Sequence, residues 1–278
     1  MNAFSQIDYL VVGHISRDIV PSGYAPGGTA LYSALAAQAL GCRTAVITSV
    51  EPAYDIESVL TGIAVCNIPS EFTTVFENIH VGSVRRQSVF SVADAIRPAD
   101  VPLSWRRPSI VHLGPIAGEI EPDVIRLFSN SMVGLTPQGW FRRWGEDRRV
   151  YAGDWPDAEA VMPLAAAVIT SLEDLPDPGY FDRLRQWSPL VVLTHGKDGC
   201  TVYSRDEERY FDAPPVNEVN PTGAGDVFAA AFLVRLHQTN GNPWEAALFA
   251  TQVAALSVTE DELLAKIEAI KGFVERRN

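Results

Sequence analysis

The second half of the chain alternates short apolar runs with segments of helical pattern, and this alternation constrains the fold more than any other feature. The predicted elements are, in order, a strand at 109–113, a helix at 123–129, a strand at 132–135, a helix at 158–164, a strand at 166–170, a helix at 180–187 and a strand at 190–194. Strands and helices that alternate in this way form a mostly parallel sheet with helices on its faces. No repeat or low-complexity linker interrupts the chain, which indicates a single α/β domain over residues 1–278.

The N-terminal part begins in the same way. Ile7 to Val12 predicts a buried strand, and Asp18 follows shortly after it. The alanine-rich stretch from Thr29 to Leu40 predicts a helix that begins after Gly27-Gly28. Because ligands of parallel α/β sheets collect at the carboxyl ends of the strands, Asp18 is a candidate for binding substrate hydroxyls; a solvated loop acid is the plain alternative.

Two extended runs without a helix between them follow later, at 72–79 and 84–92, and are separated by His80-Val81-Gly82. Such runs form an antiparallel hairpin. The pattern fits an ordinary hairpin at the sheet edge or a small β lid over a site.

The stretch from Val219 to Phe232 is a glycine-rich turn that leads directly into an apolar helix. Gly223 and Gly225 leave the backbone open, so the helix begins with exposed amides and a partial positive charge, which together favour a bound phosphate. Asp226 lies in the first helical turn, where a phosphate would also lie. It either complements the helix dipole or acts as a general base that takes a proton from an attacking hydroxyl.

Thr222-Gly223-Ala224-Gly225-Asp226 resembles the C-terminal signature of the ribokinase-like, or PfkB, family of carbohydrate kinases. The resemblance implies a three-layer αβα fold with a mostly parallel central sheet and a small β lid, here formed by segments at about 16–26 and 70–93. It also implies that Asp226 is the base, and that the amides of Gly223, Ala224 and Gly225 form an anion hole for the transferred phosphoryl group.

The same resemblance assigns the acceptor side of the site. Asp18, Gly27 and Gly28 match positions where the family binds its sugar, but Tyr32 stands where an Asn is usual, four residues after the second glycine. Gln138 follows a predicted strand and is a candidate for a hydrogen bond to a polyol. The segments around 114–116 and 135–139 resemble the inositol kinase branch.

The donor side also resembles the family, with departures. The resemblance implies that ATP binds through Ser171, Thr194, Gly196, Gly199 and Thr222, and that Asp174 holds Mg²⁺ through water. Ser171 and Asn220 differ from the usual Asn and Asp. The helix predicted at 243–258 resembles the wall of the adenine pocket, but Glu260-Asp261 replace the Gly-Ala turn that normally follows. An amphipathic segment at 261–276 predicts a terminal helix on the surface.

Composition excludes several other classes of protein. The net charge of −12 leaves little room for the basic face that nucleic acid or an anionic membrane requires. The three cysteines lie far apart and indicate neither a disulfide framework nor a zinc site. The sequence shows no signal peptide and no apolar run of membrane-spanning length. A cytoplasmic protein is therefore expected. No Walker A loop, dinucleotide fingerprint or nucleophile elbow occurs.

The sequence therefore predicts an ATP-dependent kinase, with Mg²⁺, that phosphorylates a hydroxyl of a small sugar or cyclitol such as inositol. Two copies are expected to associate through the lid. One alternative is a nucleoside kinase of the same superfamily, whose base would contact Phe72, Phe76 or Phe90. The other is a catalytically inactive regulatory member that binds a sugar or a nucleotide, which the departures at Tyr32, Ser171 and Asn220 favour. Retention of the complete Gly-Ala-Gly-Asp motif argues against the inactive member.

Overall fold

The structure is a computed structural model that describes residues 6–81, 84–205 and 207–277. Its strands are β1 (Tyr9–Val12), β2 (Ser16–Val20), β3 (Gly23–Gly27), β4 (Thr44–Val50), β5 (Ala64–Pro69), β6 (Thr74–Val81), β7 (Val84–Ser91), β8 (Ile110–Leu113), β9 (Met132–Leu135), β10 (Arg142–Trp144), β11 (Val150–Ala152), β12 (Ala167–Ser171), β13 (Leu190–Thr194), β14 (Cys200–Ser204) and β15 (Glu207–Phe211). Its α-helices are α1 (Thr29–Ala39), α2 (Ile56–Val59), α3 (Gln138–Phe141), α4 (Ala158–Val161), α5 (Tyr180–Trp187), α6 (Ala224–Gln238), α7 (Pro243–Ser257) and α8 (Leu263–Glu275). Short 3₁₀ helices lie at Pro98–Asp100, Leu103–Trp105, Pro122–Phe128, Met162–Leu164, Leu172–Asp174 and Gly196–Asp198.

A nine-stranded sheet forms the centre of the molecule, in the order β15-β14-β13-β12-β9-β8-β1-β4-β5. The strands from β13 to β5 in this order pair in parallel, and β14 and β15 add an antiparallel edge. Parallel neighbours require crossover connections, which the helical segments between the strands provide. The predicted mostly parallel sheet is confirmed.

Helices cover both faces of this sheet. Successive side chains of a strand point to opposite faces, so each strand contributes to a core on either side. Tyr9 and Val11 of β1 join a core formed with α1, α6 and α7. Leu10 and Val12 of the same strand join a second core on the opposite face, with residues of α4 and α5. The result is the predicted three-layer αβα architecture of a ribokinase-like fold.

A separate four-stranded sheet, in the order β3-β2-β6-β7, contains residues of both segments predicted to form the lid, at 16–26 and 70–93. The predicted turn at His80-Val81-Gly82 lies partly outside the described residues, which end at 81 and resume at 84. Association of two copies through this sheet stays a prediction.

One local prediction was wrong. Asp18 lies within β2, paired with Ala25 and Phe76, rather than just past the end of the first strand. The helix predicted at 123–129 is present as a 3₁₀ helix that begins at Pro122. The basic residues Arg142 and Arg143 lie in β10, which pairs with β11.

Glu119 joins the loops that follow β1 and β8, which both lead to the carboxyl edge of the sheet. Its Oε1 accepts hydrogen bonds from the backbone N–H of His14 at 2.8 Å and of Ile116 at 3.1 Å. Its Oε2 accepts from Ile116 at 3.0 Å and from Ala117 at 2.7 Å. The side chain is 3% exposed, so this carboxylate replaces water as the partner of three buried amides.

We expect Glu119→Gln to lower the free energy of unfolding by about 2 kcal/mol, since an amide NH₂ would face a backbone donor in place of an acceptor. Glu121→Gln is the matched control, because Glu121 forms an exposed ion pair with Arg97 at 3.3 Å. Its effect should stay within about 0.5 kcal/mol. Urea unfolding of both variants measures the difference, and equal effects would contradict the role assigned to Glu119.

Candidate active site

A cavity of about 410 Å³ lies where the carboxyl ends of the central strands meet the N-terminus of α6 and the four-stranded sheet. Eleven of the predicted site residues line it: Asp18, Gly28, Gln138, Ser171, Asp174, Thr194, Thr222, Gly223, Ala224, Gly225 and Asp226. Gly27, Gly196 and Gly199 do not line it. The fold therefore brings the predicted acceptor side and most of the predicted donor side into one cavity.

The first turn of α6 forms one wall of this cavity. Gly223 is the N-cap and adopts a left-handed conformation with φ of 79°. A Cβ atom at Gly223 would lie 2.2 Å from Cδ1 of Tyr32, so the tyrosine ring packs directly on this residue. Gly223 is required both by its backbone conformation and by the closeness of the ring.

The three amides of the predicted anion hole differ in their hydrogen bonding. The N–H of Ala224 donates to the carbonyl of Pro221 at 3.1 Å, and the first i to i−4 bond of α6 runs from Val227 to Gly223 at 2.9 Å. Within the described residues, the amides of Gly223 and Gly225 make no hydrogen bond. These two amides are therefore available for an anion, and a role for the Ala224 amide stays a prediction.

Asp226 lies half-buried in the first turn of α6 and lines the cavity. The hydroxyl of Ser33, on α1, donates to its backbone carbonyl at 3.1 Å, which ties this turn to the neighbouring helix. The acid is thus close to the amides of Gly223 and Gly225. The arrangement places a carboxylate and an anion-binding turn on the same side of the cavity.

Tyr32 lines the cavity near both Asp18 and Asp226. Its side chain is 8% exposed, and burial raises the pKa of the phenol well above its usual value, with further increases from the carboxylates of Asp18 and Asp226. The hydroxyl therefore stays protonated at neutral pH and adds a neutral donor to the cavity lining. Tyr32 thus provides a polar group where the family usually has Asn, and its ring packs on Gly223.

Asp18 and the two glycines form a compact group at the acceptor end. The hydroxyl of Ser16 donates to Oδ1 of Asp18 at 3.0 Å. A Cβ atom at Gly27 would lie 2.6 Å from Oδ2 of Asp18, and one at Gly28 would lie 2.6 Å from the carbonyl of His14. Gly27 thus makes room for the carboxylate instead of lining the cavity itself.

Gln138 and Arg142 form a polar pair that the sequence prediction missed in part. The Gln138 amide donates from Nε2 to Oγ1 of Thr29 at 3.0 Å, while its Oε1 accepts from Nη2 of Arg142 at 3.0 Å. Arg142 also donates to the carbonyl of Ile116 at 2.7 Å, and its guanidinium lies 5.4 Å from the ring centroid of Phe76. The i, i+4 spacing of Gln138 and Arg142 after β9 was the sequence signal for this pair.

Thr136 is connected to two buried side chains beneath the cavity. Its Oγ1 lies 2.9 Å from Nε2 of His112, whose Nδ1 lies 3.0 Å from the hydroxyl of Tyr9. Burial lowers the pKa of His112 to about 3, so the ring is neutral and carries a single N–H. Nothing else in the described residues accepts from the fully buried Tyr9 hydroxyl, so Tyr9 donates to Nδ1 and Nε2–H donates to Thr136. Thr136 lines the cavity with its own hydrogen left to donate there.

At the donor end, the hydroxyl of Ser171 donates to Oδ2 of Asp174 at 2.9 Å, and Glu173 joins them in lining the cavity. Thr194 donates to the carbonyl of Thr170 at 3.2 Å. Among the described residues there is no cluster of three or more His, Cys, Asp or Glu side chains that would hold a metal directly.

The turn after β13 has a packing function in this structure. A Cβ atom at Gly199 would lie 2.0 Å from the carbonyl of Phe211, so glycine permits the turn to contact the segment after β15. A Cβ at Gly196 would meet open space, although φ is +59°. Binding of ATP by these two glycines stays a prediction.

The asparagine at position 220 has a hydrogen-bonding partner in Asp261, which lies close to it in the fold. The Asn220 amide donates from Nδ2 to the Asp261 carbonyl at 3.1 Å and to its Oδ1 at 3.0 Å, while Oδ1 of Asn220 accepts from the N–H of Thr222 at 2.9 Å. An aspartate at position 220 would offer no donor and would face a second carboxylate. The two departures from the family pattern, Asn220 and Asp261, therefore compensate each other.

Part of the chain matches a known family of kinases, and the chain is similar to several individual kinases. A sequence profile of the pfkB family carbohydrate kinases matches residues 182–269, a segment that contains α6 and Asp226. The chain is similar to the cytidine kinase of Thermococcus kodakarensis, with 28% identity over 258 residues that cover 86% of this chain and 91% of that enzyme. It is also similar to the inositol 3-kinase of Zea mays, with 35% identity over 150 residues that cover 51% of this chain and only 38% of that enzyme.

The fold has solved counterparts. A pyrophosphate-dependent kinase in the ribokinase family, complexed with a pyrophosphate analog and myo-inositol, superimposes with a TM-score of 0.81. The superposition covers 95% of this chain and 99% of that one, at 23% sequence identity. At this level of identity the likeness shows the shared fold. Among the described residues, no helix combines the length and hydrophobicity needed to cross a membrane.

We expect Gly223→Ala to lower the free energy of unfolding by about 2 kcal/mol, because the new Cβ would overlap the Tyr32 ring in a left-handed conformation. Gly225→Ala is the matched control two residues later, where a Cβ would have nothing within 4 Å. Alanine in the first helical turn should leave stability unchanged or raise it by about 0.5 kcal/mol. Thermal and urea unfolding measure both variants; a Gly223→Ala protein as stable as Gly225→Ala would contradict the proposed packing of Tyr32.

Proposed function

We propose that the chain, whose residues 182–269 match the pfkB family carbohydrate kinases and whose fold is ribokinase-like, transfers the γ-phosphoryl group of ATP to a hydroxyl of a small sugar or cyclitol such as inositol. One cavity holds Asp226, the amides of Gly223 and Gly225, and a polar acceptor end, and this arrangement is the main support for the proposal. A carboxylate beside an anion-binding turn suits the activation of a hydroxyl next to a phosphoryl group.

Asp226, the two amides and the acceptor end have different roles in the proposed reaction. Asp226 takes the proton of the attacking hydroxyl, whose oxygen forms a bond to the γ-phosphorus while the bond to the bridging oxygen of ATP breaks and ADP leaves. The amides of Gly223 and Gly225 stabilise charge on the γ-phosphoryl oxygens. Asp18 and Thr136 orient the acceptor from the other end of the cavity.

Mg²⁺ would accompany the nucleotide at the donor end. Asp174 and Glu173 supply oxygen donors there, and this fits an ion that keeps most of its water and binds through few carboxylates. When bound, the ion neutralises charge on the phosphates. Asp174 would hold it through water.

The polarity of the acceptor end favours a polyol over a nucleoside. Asp18, Asn78, Gln87, Thr136 and Arg142 line it. Of the three phenylalanines expected to contact a base, Phe76 lines the cavity but lies against the Arg142 guanidinium. Phe72 and Phe90 are 51% and 41% exposed and do not line the cavity. A nucleoside acceptor remains the second candidate because of the similarity to a cytidine kinase.

An inactive regulatory member is the third alternative, and the site argues against it. Tyr32 and Asn220 have structural partners in this chain, Gly223 and Asp261, so neither departure indicates a damaged site. A binding module for anionic phosphates gains nothing from Asp226. Of the predicted ATP-binding residues, Thr194 and Thr222 lie on the cavity wall whereas Gly196 and Gly199 do not, so ATP has to be tested against pyrophosphate as the donor.

We expect the wild-type protein to phosphorylate a polyol with ATP and the Asp226→Asn variant to lose about 10²- to 10⁴-fold in kcat, because the general base is removed. Product formation is measured with myo-inositol, hexoses and cytidine as acceptors and with ATP or pyrophosphate as donors. Asp123→Asn is the control, since Asp123 forms an exposed pair with Arg126 at 3.0 Å.

Undiminished activity of Asp226→Asn would contradict the role of the base. Turnover with cytidine alone would replace the proposed acceptor, and turnover with pyrophosphate alone would replace the proposed donor. No turnover with any combination would favour the regulatory member.

The orientation of Thr136 gives a second prediction. Thr136→Val removes the hydroxyl that donates into the cavity, and we expect the KM for the acceptor to rise about 5- to 30-fold, the equivalent of roughly 1 to 2 kcal/mol. Thr136→Ser retains the donor and should stay within about threefold of wild type. Steady-state kinetics at saturating donor measure both; the same KM for all three proteins would show that Thr136 does not contact the acceptor.

A further inference from the structure

Lys266 is a buried lysine whose side chain points at the turn before α6. It lies on α8, is 2% exposed, and its ammonium donates to the backbone carbonyls of Asn220 at 2.5 Å and of Thr222 at 3.0 Å. Lysine is rarely buried unless its charge has partners. Here the partners are two carbonyls of the turn that leads to Gly223 and Asp226.

The bond to Thr222 fixes the direction of a neighbouring amide. The carbonyl of Thr222 and the N–H of Gly223 belong to one trans peptide unit, in which the two groups point in opposite directions. Because the carbonyl is directed at the Lys266 ammonium, the N–H of Gly223 is directed away from α8. Gly223 lines the cavity, and its amide is one of the two that remain for an anion.

The same connection between α7 and α8 holds the turn at further points. The amides of Val219 and Asn220 donate to the carbonyl of Val258 at 2.8 Å and 3.2 Å, and the side chain of Asn220 donates to Asp261. Lys266 adds a positive charge to these contacts. Burial lowers the pKa of Lys266, and the carboxylate of Asp261 opposes that shift, so the ammonium is held where water solvates it poorly.

We propose that Lys266 is a positioning residue that acts as a built-in cation beneath the anion-binding turn, holding the carbonyls of Asn220 and Thr222 so that the Gly223 amide faces the phosphoryl group. The proposal deepens the proposed kinase function and rests on its anion site. Lys266 does not touch the substrate. It keeps the Gly223 N–H in place before the reaction, and it adds positive charge on the side of the turn that faces α8.

The test uses sulfate as a probe, because its binding does not require turnover. Sulfate should raise the Tm of the wild-type protein, and Lys266→Met should weaken the sulfate Kd about tenfold or more, since methionine keeps the buried stem but loses the ammonium. Lys271→Met is the matched control on the same helix, where the ammonium makes an exposed pair with Glu268 at 2.6 Å. It should stay within about twofold of wild type.

Kinetics and chemical rescue separate positioning from general stability. Lys266→Met should lower kcat about 10- to 100-fold with the acceptor KM unchanged. In Lys266→Ala, added ammonium or methylammonium should restore sulfate binding and part of kcat, whereas the wild type should not respond. A merely structural lysine would give no such rescue.

Equal sulfate affinity in wild type and Lys266→Met overturns the proposal, as does a loss in Lys266→Ala that no amine restores. Sulfate binding that depends on Lys266 in a protein without kinase activity supports the proposal and contradicts the kinase function instead. A wild-type protein that does not bind sulfate removes the anion site, and the proposal with it.

Discussion

The site depends on how the first turn of α6 is held, because that turn carries both the amides that suit an anion and the candidate base. The Tyr32 ring packs on Gly223 from α1, and the Lys266 ammonium binds the carbonyl of Thr222 from α8. Ser33 adds a hydrogen bond to the carbonyl of Asp226. A helix N-terminus fixed in this way presents its donors without reorganisation, which is the condition under which such groups stabilise charge most effectively.

The central sheet then determines what faces this turn. The parallel strands end at one edge, so Thr136, Ser171 and Thr194 reach the same cavity although they are far apart in the sequence. Glu119 holds two of the loops at that edge, and the four-stranded sheet brings Asp18 to the opposite end. The proposed donor and acceptor ends are therefore built from different elements, and Asp226 lines the same cavity.

Much of the architecture could be predicted from the sequence because its signals are local. The bounds of β9, β13 and α5 agree with the apolar and helical patterns at 132–135, 190–194 and 180–187. The glycine turn before α6 was evident because its residue types are specific to that backbone geometry. The helix predicted at 123–129 lies one residue earlier, because Pro122 begins it, and it is a 3₁₀ helix.

The parts that could not be predicted depend on contacts between distant segments. Arg142 belongs to a basic cluster in the sequence, and only its pairing with Gln138 and Ile116 turns it toward the cavity. Lys266 lies in a segment predicted to be a surface helix, where nothing in the pattern distinguishes it from Lys271. Asn220 differed from the family's Asp, and its reason is a partner 41 residues later.

The most direct test of the proposed kinase activity is ³¹P nuclear magnetic resonance of the protein incubated with ATP, Mg²⁺ and a polyol such as myo-inositol. We expect a phosphomonoester signal that grows in step with the signals of ADP, because the phosphoryl group passes to the hydroxyl that Asp226 activates. ADP accompanied only by inorganic phosphate, or no phosphomonoester with any polyol, would contradict the proposed activity.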